Sequence, residues 1–256
     1  MTAKEAFRVE NVSDRRESDP NLGVRVKVIE DCDFPIEEVE VDGLKTLKIP
    51  LEILRYFDEE GYGAVRINSA KLAARLPNYG GSTAPGRSQT PHQDHLPADR
   101  RRFLAFCKSD EVPRGSSTYV MNPELGRRIL PMLLEQFEAH REWLRDNFIY
   151  QPPYLATQEE LYRCFEPGGI HRVVQARIGA GAPGDVRLFA YLGLITYLIQ
   201  GELGDHLVEG ILEKHEESVF VEDWSTPGIL IVDNRRMLHG RAGPNVPIQR
   251  NWMVEE

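Results

Sequence analysis

Cysteine is scarce in this sequence, and its few copies are scattered. Of 256 residues only three are cysteines, namely Cys32, Cys107 and Cys164, and no two of them form a CxxC pair. A disulfide framework normally uses an even number of cysteines, and a cysteine-ligated zinc cluster needs them closely spaced. The sequence therefore predicts neither a disulfide-rich domain nor a cysteine zinc site.

Long apolar runs and an excess of basic charge are also missing. No stretch approaches the roughly 18 apolar residues of a membrane-spanning helix, and residues 1–20 lack the apolar centre of a signal peptide. Lysine and arginine number 31 against 40 aspartates and glutamates, which gives a net charge of -9. Because such a protein is not attracted to a phosphate backbone, we expect it not to bind nucleic acid. Because the sequence shows neither a membrane span nor a signal peptide, we expect a cytoplasmic protein that does not bind a membrane.

The remaining composition is that of a globular protein. Hydrophobic residues make up 41% and charged residues 28%, which is enough for a substantial core. There is no internal repeat, and a chain of this length forms one large domain or two small ones. We expect residues 1–20, which are rich in charge, to form a flexible arm, and residues 21–256 to form a single domain. The oligomeric state stays open.

Hydrophobic periodicity predicts strands interrupted by helices. Leu51, Leu54 and Phe57 follow helical spacing, and further helices are predicted over 122–148, with a kink or break at Pro131, and over parts of 194–217. Strands are predicted over 63–67, 103–106, 117–120, 170–178, 186–192, 218–224, 228–234 and 249–255. Because no βαβ alternation dominates, we expect a mainly β fold with helical insertions and a mainly antiparallel sheet.

The segment "TPHQDHLP" (90–97) contains three potential metal ligands, His92, Asp94 and His95. Pro91 and Pro97 flank them and disfavour a helix. In an extended segment alternate residues share a face, so His92 and Asp94 project to one side and His95 to the other. A histidine and a carboxylate on one side are two of the three ligands of the facial triad that binds non-haem Fe(II).

A third ligand must come from elsewhere in the chain. The segment "GILIVDNRRMLHGR" (228–241) contains an apolar strand followed by His239, which we expect just past the end of that strand. A side chain at a strand end reaches a site without disturbing the sheet. His171 begins a predicted strand and is expected in the core or at its rim. The remaining histidines lie in charged helical surroundings and are expected on the surface: His140, His206 and His215.

Together, HxD at 92–94, the "DNRRMLHGR" segment and Arg250 resemble the Fe(II)/2-oxoglutarate-dependent oxygenases, in particular the taurine dioxygenase/clavaminate synthase-like branch. That family combines HxD, a distal histidine and a later arginine that binds the distal carboxylate of 2-oxoglutarate. Arg250 follows His239 by 11 residues, and Thr118, 26 residues after His92, matches a threonine that contacts the same carboxylate. The resemblance implies a distorted double-stranded β-helix, a jelly-roll core with outer helices.

The resemblance also implies the chemistry. The family's Fe(II) ligands correspond here to His92, Asp94 and His239. 2-Oxoglutarate and O2 are the implied co-substrates, with Thr118 and Arg250 binding the former. Arg241 shares a side with His239 in an extended chain, so Arg241 is a second candidate for the main contact to 2-oxoglutarate. The implied reaction is hydroxylation, desaturation or cyclisation at an unactivated C–H of a small molecule, with release of succinate and CO2. Related halogenases lack the carboxylate that Asp94 keeps, which disfavours halogenation.

Other residues near these motifs are secondary candidates. Gln93 and His95 are candidates for contacts around the metal ligands, and Arg87 and Gln89 for contacts with substrate. Trp224 is expected to be an aromatic residue of the core or its rim. Arg235 and Arg236 are expected to be structural or at the surface.

Two other functions are compatible with parts of the pattern. "HQDH" resembles the end of the HxHxDH motif of metallo-β-lactamase-like zinc hydrolases, but Thr90 stands where the first histidine belongs. A non-catalytic jelly-roll binding domain is the other alternative. For an oxygenase, the resemblance favours a free small-molecule substrate, such as an amino-acid derivative or a biosynthetic intermediate of a natural product.

Overall fold

The structure of the chain is a computed structural model that covers most of the sequence. It describes residues 22–30, 33–41, 43–77, 88–94, 102–109, 117–148, 157–243 and 248–255. The expected arm at 1–20 lies outside these ranges, as does the segment 78–87 before the HxD motif. The proposed division into an arm and a single domain therefore stays a prediction.

Eleven strands and eight helices are present within the described residues. The strands are β1 (Val26–Glu30), β2 (Glu38–Val41), β3 (Leu44–Lys48), β4 (Ala64–Asn68), β5 (Gln89–His92), β6 (Phe103–Lys108), β7 (Ser117–Met121), β8 (Phe220–Glu222), β9 (Gly228–Asp233), β10 (Leu238–Ala242) and β11 (Gln249–Val254). The helices are α1 (Leu51–Asp58), α2 (Ala70–Arg75), α3 (Pro123–Ala139), α4 (Arg141–Asp146), α5 (Gln158–Cys164), α6 (Gly169–Ile178), α7 (Gly184–Leu198) and α8 (Glu202–Lys214). None of these helices has both the length and the apolar composition needed to cross a membrane.

The strands form two sheets. The larger sheet has the order β1-β4-β9-β6-β11-β3-β2, and the smaller one the order β5-β10-β7-β8. Two pairs are parallel, β1 with β4 and β3 with β11, and the other pairs are antiparallel. The expected mainly antiparallel arrangement is therefore confirmed.

Three buried clusters show how the layers pack. One face of the larger sheet, including Ile67, packs against α1 and α2. One face of the smaller sheet, including Tyr119, packs against α3 and the helices from α5 to α8. A third cluster joins the remaining faces and contains Val120 of the smaller sheet and Leu230 of the larger one. Two sheets thus share an interior and carry helices outside, while the finer prediction of a double-stranded β-helix stays a prediction.

Two strand predictions are wrong. Residues 170–178 and 186–192 lie in helices α6 and α7. In α6 the buried residues Ile170, Val173 and Val174 recur at helical spacing, which the β-branched side chains concealed. Helix α7 is apolar on nearly all sides, so periodicity gives it no amphipathic helical signal.

Helix α3 follows its sequence signals at the start but not in the middle. The Asn122 side chain caps it by accepting a hydrogen bond from the Glu124 N–H, and Pro123 occupies the first turn. The expected break at Pro131 is absent, because the helix continues to Ala139. The next helix, α4, begins after His140.

Candidate metal centre

His92, Asp94 and His239 lie together where β5 meets β10. His92 ends β5 and pairs directly with His239 of β10, and Asp94 follows two residues after His92. One potential ligand atom from each of the three lies within 4.8 Å of the other two. The structure thus brings together the ligands predicted from the sequence. One detail differs, because His239 lies inside strand β10 and not just past the end of β9.

A hydrogen bond determines which nitrogen of His92 faces the site. Nδ1 lies 2.9 Å from the main-chain carbonyl oxygen of Thr90, and because a carbonyl only accepts, Nδ1 carries the proton. In the neutral ring Nε2 then presents a lone pair, 3.6 Å from Oδ1 of Asp94. Nε2 of His239 lies 3.5 Å from Oδ2 of the same carboxylate. A lone pair opposite a carboxylate is unfavourable unless a proton or a metal ion lies between them.

The spacing of the donor atoms fits a divalent transition metal. Metal–ligand bonds of about 2.1 Å at right angles place neighbouring donors about 3 Å apart. The separations from the Asp94 carboxylate, 3.5 and 3.6 Å, need only a small contraction to reach this value. Two imidazoles with one carboxylate suit iron, manganese or zinc better than Ca²⁺ or Mg²⁺, which prefer oxygen ligands.

The centre is buried between the two sheets. His92 is 6% exposed and His239 is 3% exposed. The two imidazole rings lie 4.7 Å apart, and the ring of Phe106, on β6 of the larger sheet, lies 5.3 Å from that of His239. In such surroundings electrostatic interactions are stronger than in water, so the carboxylate would attract a cation at this position strongly.

Asn234, which the sequence analysis did not single out, holds Asp94 by its main chain. Its Nδ2 donates to the Asp94 carbonyl at 2.6 Å, and its Oδ1 accepts from the Asp94 N–H at 3.2 Å. Gln93 Nε2 donates to the carbonyl of Met237 at 3.3 Å. Asn234 and Met237 belong to the turn between β9 and β10, so both contacts fasten the HxD segment to the chain that carries His239.

Strand β5 contains a bulge next to the ligands. His239 pairs with His92, but Arg241, two residues further along β10, pairs with Gln89, three residues back along β5. β5 therefore has one residue more than β10 between these pairs. Pro91 lies in the bulge, where the missing N–H of proline breaks no ladder hydrogen bond.

The glycine between the ligand and Arg241 allows the smaller sheet to pack tightly. A Cβ atom at Gly240 would lie 2.2 Å from Oη of Tyr119 and 2.6 Å from the carbonyl oxygen of Gln89. Neither atom has room to move, because Tyr119 is fully buried and donates to that same carbonyl at 2.6 Å. The HGR sequence thus requires glycine at its centre for steric reasons.

Thr118 and Arg241 form a second polar pair on the same strands. They are directly opposite each other in the β7–β10 ladder, and both are buried, with 3% and 7% exposure. Burial lowers the pKa of the Arg241 guanidinium from its usual value, and the negative charge of Asp205 opposes that shift. Because alternate residues of a strand share a face, Arg241 lies on the same side of β10 as His239.

The structure describes the main chain of Arg250 but not its side chain. Arg250 lies in β11, opposite Phe106 of β6. Phe106 is the residue whose ring packs against that of His239. The register thus places Arg250 beside a neighbour of the metal centre, and its contact with a co-substrate stays a prediction.

Thr118 belongs to a set of buried polar contacts that we call the Arg66 network. Its members are Arg66, Glu222, Trp224 and Thr118. Nε of Arg66 donates to Oε2 of Glu222 at 2.5 Å and Nη2 to Oε1 at 3.3 Å. The N–H of Trp224 donates to Oε1 of Glu222 at 3.0 Å, and its indole Nε1 donates to Oγ1 of Thr118 at 3.0 Å. Arg66 Nη2 also donates to the main-chain carbonyl of Thr226 at 2.8 Å.

Trp224 combines complete burial with an unusual backbone conformation. The expected core aromatic is confirmed, with 0% exposure. Its φ of 56° lies in the left-handed region, where a residue with a Cβ atom loses about 1–2 kcal/mol. The main-chain and indole hydrogen bonds of Trp224 hold it in this conformation.

The other secondary candidates lie away from the centre or outside the described residues. Arg87 and His95 lie outside. Arg236 is structural as expected, because it pairs with Asp233 and donates to a main-chain carbonyl of α1. His171 is exposed on α6, not in a strand, and His215 is buried at 6% exposure, so the surface expectation for His215 is wrong.

Comparison with known proteins identifies no family for this chain. No protein-family model matches it, and no curated protein matches it. Among solved structures, it is similar to a Burkholderia xenovorans protein assigned as an alpha-ketoglutarate dependent 2,4-D dioxygenase. The two are 12% identical, the match covers 91% of this chain and 96% of that chain, and the TM-score is 0.39. A similarity of this size carries no conclusion about activity, so the functional argument rests on the geometry of the centre.

Proposed function

We propose that this chain is an Fe(II)- and 2-oxoglutarate-dependent oxygenase that oxidises an unactivated C–H bond of a small molecule. The observation that carries the proposal is the convergence of His92, Asp94 and His239, with a lone pair of His92 directed at the carboxylate. This donor set is the one that suits non-haem Fe(II) with open positions. With 2-oxoglutarate bound, such a centre uses O2 to hydroxylate, desaturate or cyclise a substrate and releases succinate and CO2.

In this proposal the residues of the chain bind, orient and exclude water. The three ligands hold the metal, and the bond from His92 to the Thr90 carbonyl fixes its ring. Thr118 donates its hydroxyl hydrogen to the distal carboxylate of 2-oxoglutarate. An arginine pairs its planar guanidinium with the same carboxylate, which lysine does less well. Burial of the ligands keeps bulk water from the reacting atoms.

The proposal is tested by adding Fe(II) and then 2-oxoglutarate to the metal-free protein without oxygen. Chelation of the metal by 2-oxoglutarate is expected to give a visible charge-transfer band, which His239→Ala abolishes. If the unmodified protein gives no band at any pH or reductant concentration, the oxygenase proposal fails. A zinc hydrolase would instead show metal-dependent hydrolysis that requires neither oxygen nor 2-oxoglutarate.

A pair of arginine variants decides which guanidinium binds the co-substrate. Loss of a hydrogen-bonded charge pair typically weakens binding about tenfold to a hundredfold. We expect Arg250→Ala to raise the Kd for 2-oxoglutarate by this factor and to leave Fe(II) binding nearly unchanged, as measured by titration of the charge-transfer band. Loss of 2-oxoglutarate binding in Arg241→Ala, with none in Arg250→Ala, would transfer the role to Arg241.

For the substrate we propose a free small molecule, such as an amino-acid derivative or a natural-product intermediate, with no nucleic acid or membrane involved. A screen of metabolites for substrate-dependent succinate formation under oxygen tests this class. Mass spectrometry of the product then locates the new oxygen, double bond or ring.

A further inference from the structure

The Thr118 hydroxyl is a buried group beside the centre that accepts a hydrogen bond. It accepts the indole N–H of Trp224 at 3.0 Å, and it is 3% exposed. To the described residues, the hydroxyl itself donates no hydrogen bond. A buried hydroxyl normally both donates and accepts, so this group has one half of its hydrogen-bonding capacity unused.

The chemistry of indole determines which half is unused. The Nε1–H group of tryptophan only donates, so Thr118 Oγ1 can only accept from it. The hydroxyl hydrogen must therefore point away from Trp224 and towards some other acceptor. Thr118 also lies directly opposite Arg241, a buried cation, in the β7–β10 ladder. A directed O–H donor beside a buried guanidinium is an arrangement that recognises an anionic acceptor such as a carboxylate.

Trp224 is itself held in place by charged groups. Its main-chain N–H donates to Glu222, which pairs with Arg66 through two nitrogens. The Arg66 guanidinium also lies 5.4 Å from the centre of the Trp224 ring. These contacts maintain the left-handed φ of Trp224 and so fix the direction of its indole N–H. The Arg66 network therefore ends on a single polar atom, Oγ1 of Thr118.

We propose that Trp224 is a positioning residue, whose indole N–H makes Thr118 an obligate hydrogen-bond donor to the carboxylate of 2-oxoglutarate. The inference rests on the proposed function, because it assumes that 2-oxoglutarate binds beside Thr118. Trp224 acts only through Thr118 and touches neither the metal nor the co-substrate. Its loss therefore weakens binding of 2-oxoglutarate and leaves binding of the metal unchanged.

The test is a double-mutant cycle on the full-length, Fe(II)-loaded protein without oxygen, with the Kd for 2-oxoglutarate as the readout. Trp224→Phe removes the N–H and keeps an aromatic ring, and Thr118→Val removes the hydroxyl and keeps the shape. Since a neutral hydrogen bond contributes a factor of about five to ten, we expect Thr118→Val to raise the Kd about tenfold and Trp224→Phe about fivefold. The double variant should match Thr118→Val alone, because Trp224 has no effect without the hydroxyl.

Three further measurements serve as controls. Trp143→Phe, at a 41% exposed position in α4, should leave the Kd unchanged. Thr118→Ser keeps the hydroxyl and should retain near-normal binding. The Kd for Fe(II) without 2-oxoglutarate should be the same in all variants. Additive effects of the two substitutions, or normal 2-oxoglutarate binding in Trp224→Phe beside weakened binding in Thr118→Val, would overturn the inference and leave the proposed function intact.

A spectroscopic readout does not depend on the stability of Trp224→Phe. The chain has three tryptophans, so a ¹⁵N-labelled sample gives three indole N–H signals. In the protein loaded with diamagnetic Zn(II), 2-oxoglutarate should shift the Trp224 signal, and Thr118→Val should remove that shift. The Trp224 signal is identified as the one that remains in the spectra of both Trp143→Phe and Trp252→Phe. A Trp224 signal that does not respond to bound 2-oxoglutarate would contradict the proposal.

Discussion

The Arg66 network and the metal centre are both polar clusters in the interior of the protein, and they are built in opposite ways. In the Arg66 network, donors face acceptors, and Arg66 and Glu222 meet at 2.5 Å. In the metal centre, Nε2 of His92 faces the Asp94 carboxylate as an acceptor. The imidazole nitrogens of His239 and His92 lie 3.5 and 3.6 Å from the oxygens of that carboxylate. The first cluster is complete without any further ion. In the second one, the contact between His92 and Asp94 becomes favourable when a proton or a metal ion lies between them.

The difference separates a structural role from a binding role. A buried ion pair with all its hydrogen bonds made keeps the interior in one arrangement and leaves nothing for a ligand to satisfy. Two imidazoles and a carboxylate held this close together are arranged to bind a metal ion. Thr118 is the exception in the Arg66 network, because its hydroxyl donates no hydrogen bond to the described residues. That residue is where the structural cluster reaches the binding cluster.

The largest effect is expected from breaking the ion pair of the Arg66 network. Arg66→Met leaves Glu222 buried without its partner, which typically destabilises a fold by about 3–5 kcal/mol. We expect a loss of this size in urea denaturation of the metal-free protein. The double variant Arg66→Met/Glu222→Leu should recover most of the loss. If the single variant is as stable as the unmodified protein, the network has no structural role.

Asp94→Asn, in the metal centre, is expected to change stability less than Arg66→Met does and to weaken metal binding strongly. Asp94→Asn keeps the shape of the side chain and removes the charge that holds the cation. Because changes to groups that only support a ligand already weaken metal binding about tenfold to a hundredfold, we expect Asp94→Asn to exceed this range. Isothermal titration with Fe(II) or Mn(II) measures the loss. Denaturation of the metal-free variant near the unmodified midpoint is the matching control.

A smaller loss of metal affinity than in Asp94→Asn is expected from substitution of Asn234, which connects the HxD segment to the β9–β10 turn. Asn234→Ala removes both hydrogen bonds to the Asp94 main chain and should weaken metal binding about tenfold to a hundredfold. Asn147→Ala, at an exposed position after α4, is the matched control and should have no effect. Equal metal affinity in the two variants would show that the turn alone positions Asp94.

The sequence predicted the convergence of His92, Asp94 and His239 better than the elements that carry them. Proline flanks and two-residue alternation were enough to pair His92 with Asp94, because these are local properties of an extended chain. Helix α6 was taken for a strand, because β-branched residues such as Val173 and Val174 mask a helical burial pattern when neighbours are unknown. Tertiary packing determines whether such segments form helices or strands, and a single sequence does not show that packing.

Residues that act through the main chain were harder to find than the ligands. Asn234 binds the peptide of Asp94, 140 residues away in the chain, so no local pattern reveals it. Its position next to Asp233, just before a turn leading to the distal histidine, was the available signal. Trp224 was identified as a core residue, but its indole bond to Thr118 depends on a φ of 56° that no sequence rule predicts for tryptophan.

The extra residue in β5 shifts the alternation of side chains along this strand by one residue. Counting back from His92, strict alternation would turn Gln89 to the opposite face, yet the bulge pairs it with Arg241, on the side that carries His239. Shortening the segment by one residue would remove the bulge, because Gln89 would then stand two residues before His92 and face Arg241 in a regular ladder. The extra residue therefore leaves the pairing of Gln89 with Arg241 unchanged and adds the local bend and twist of a bulge beside His92.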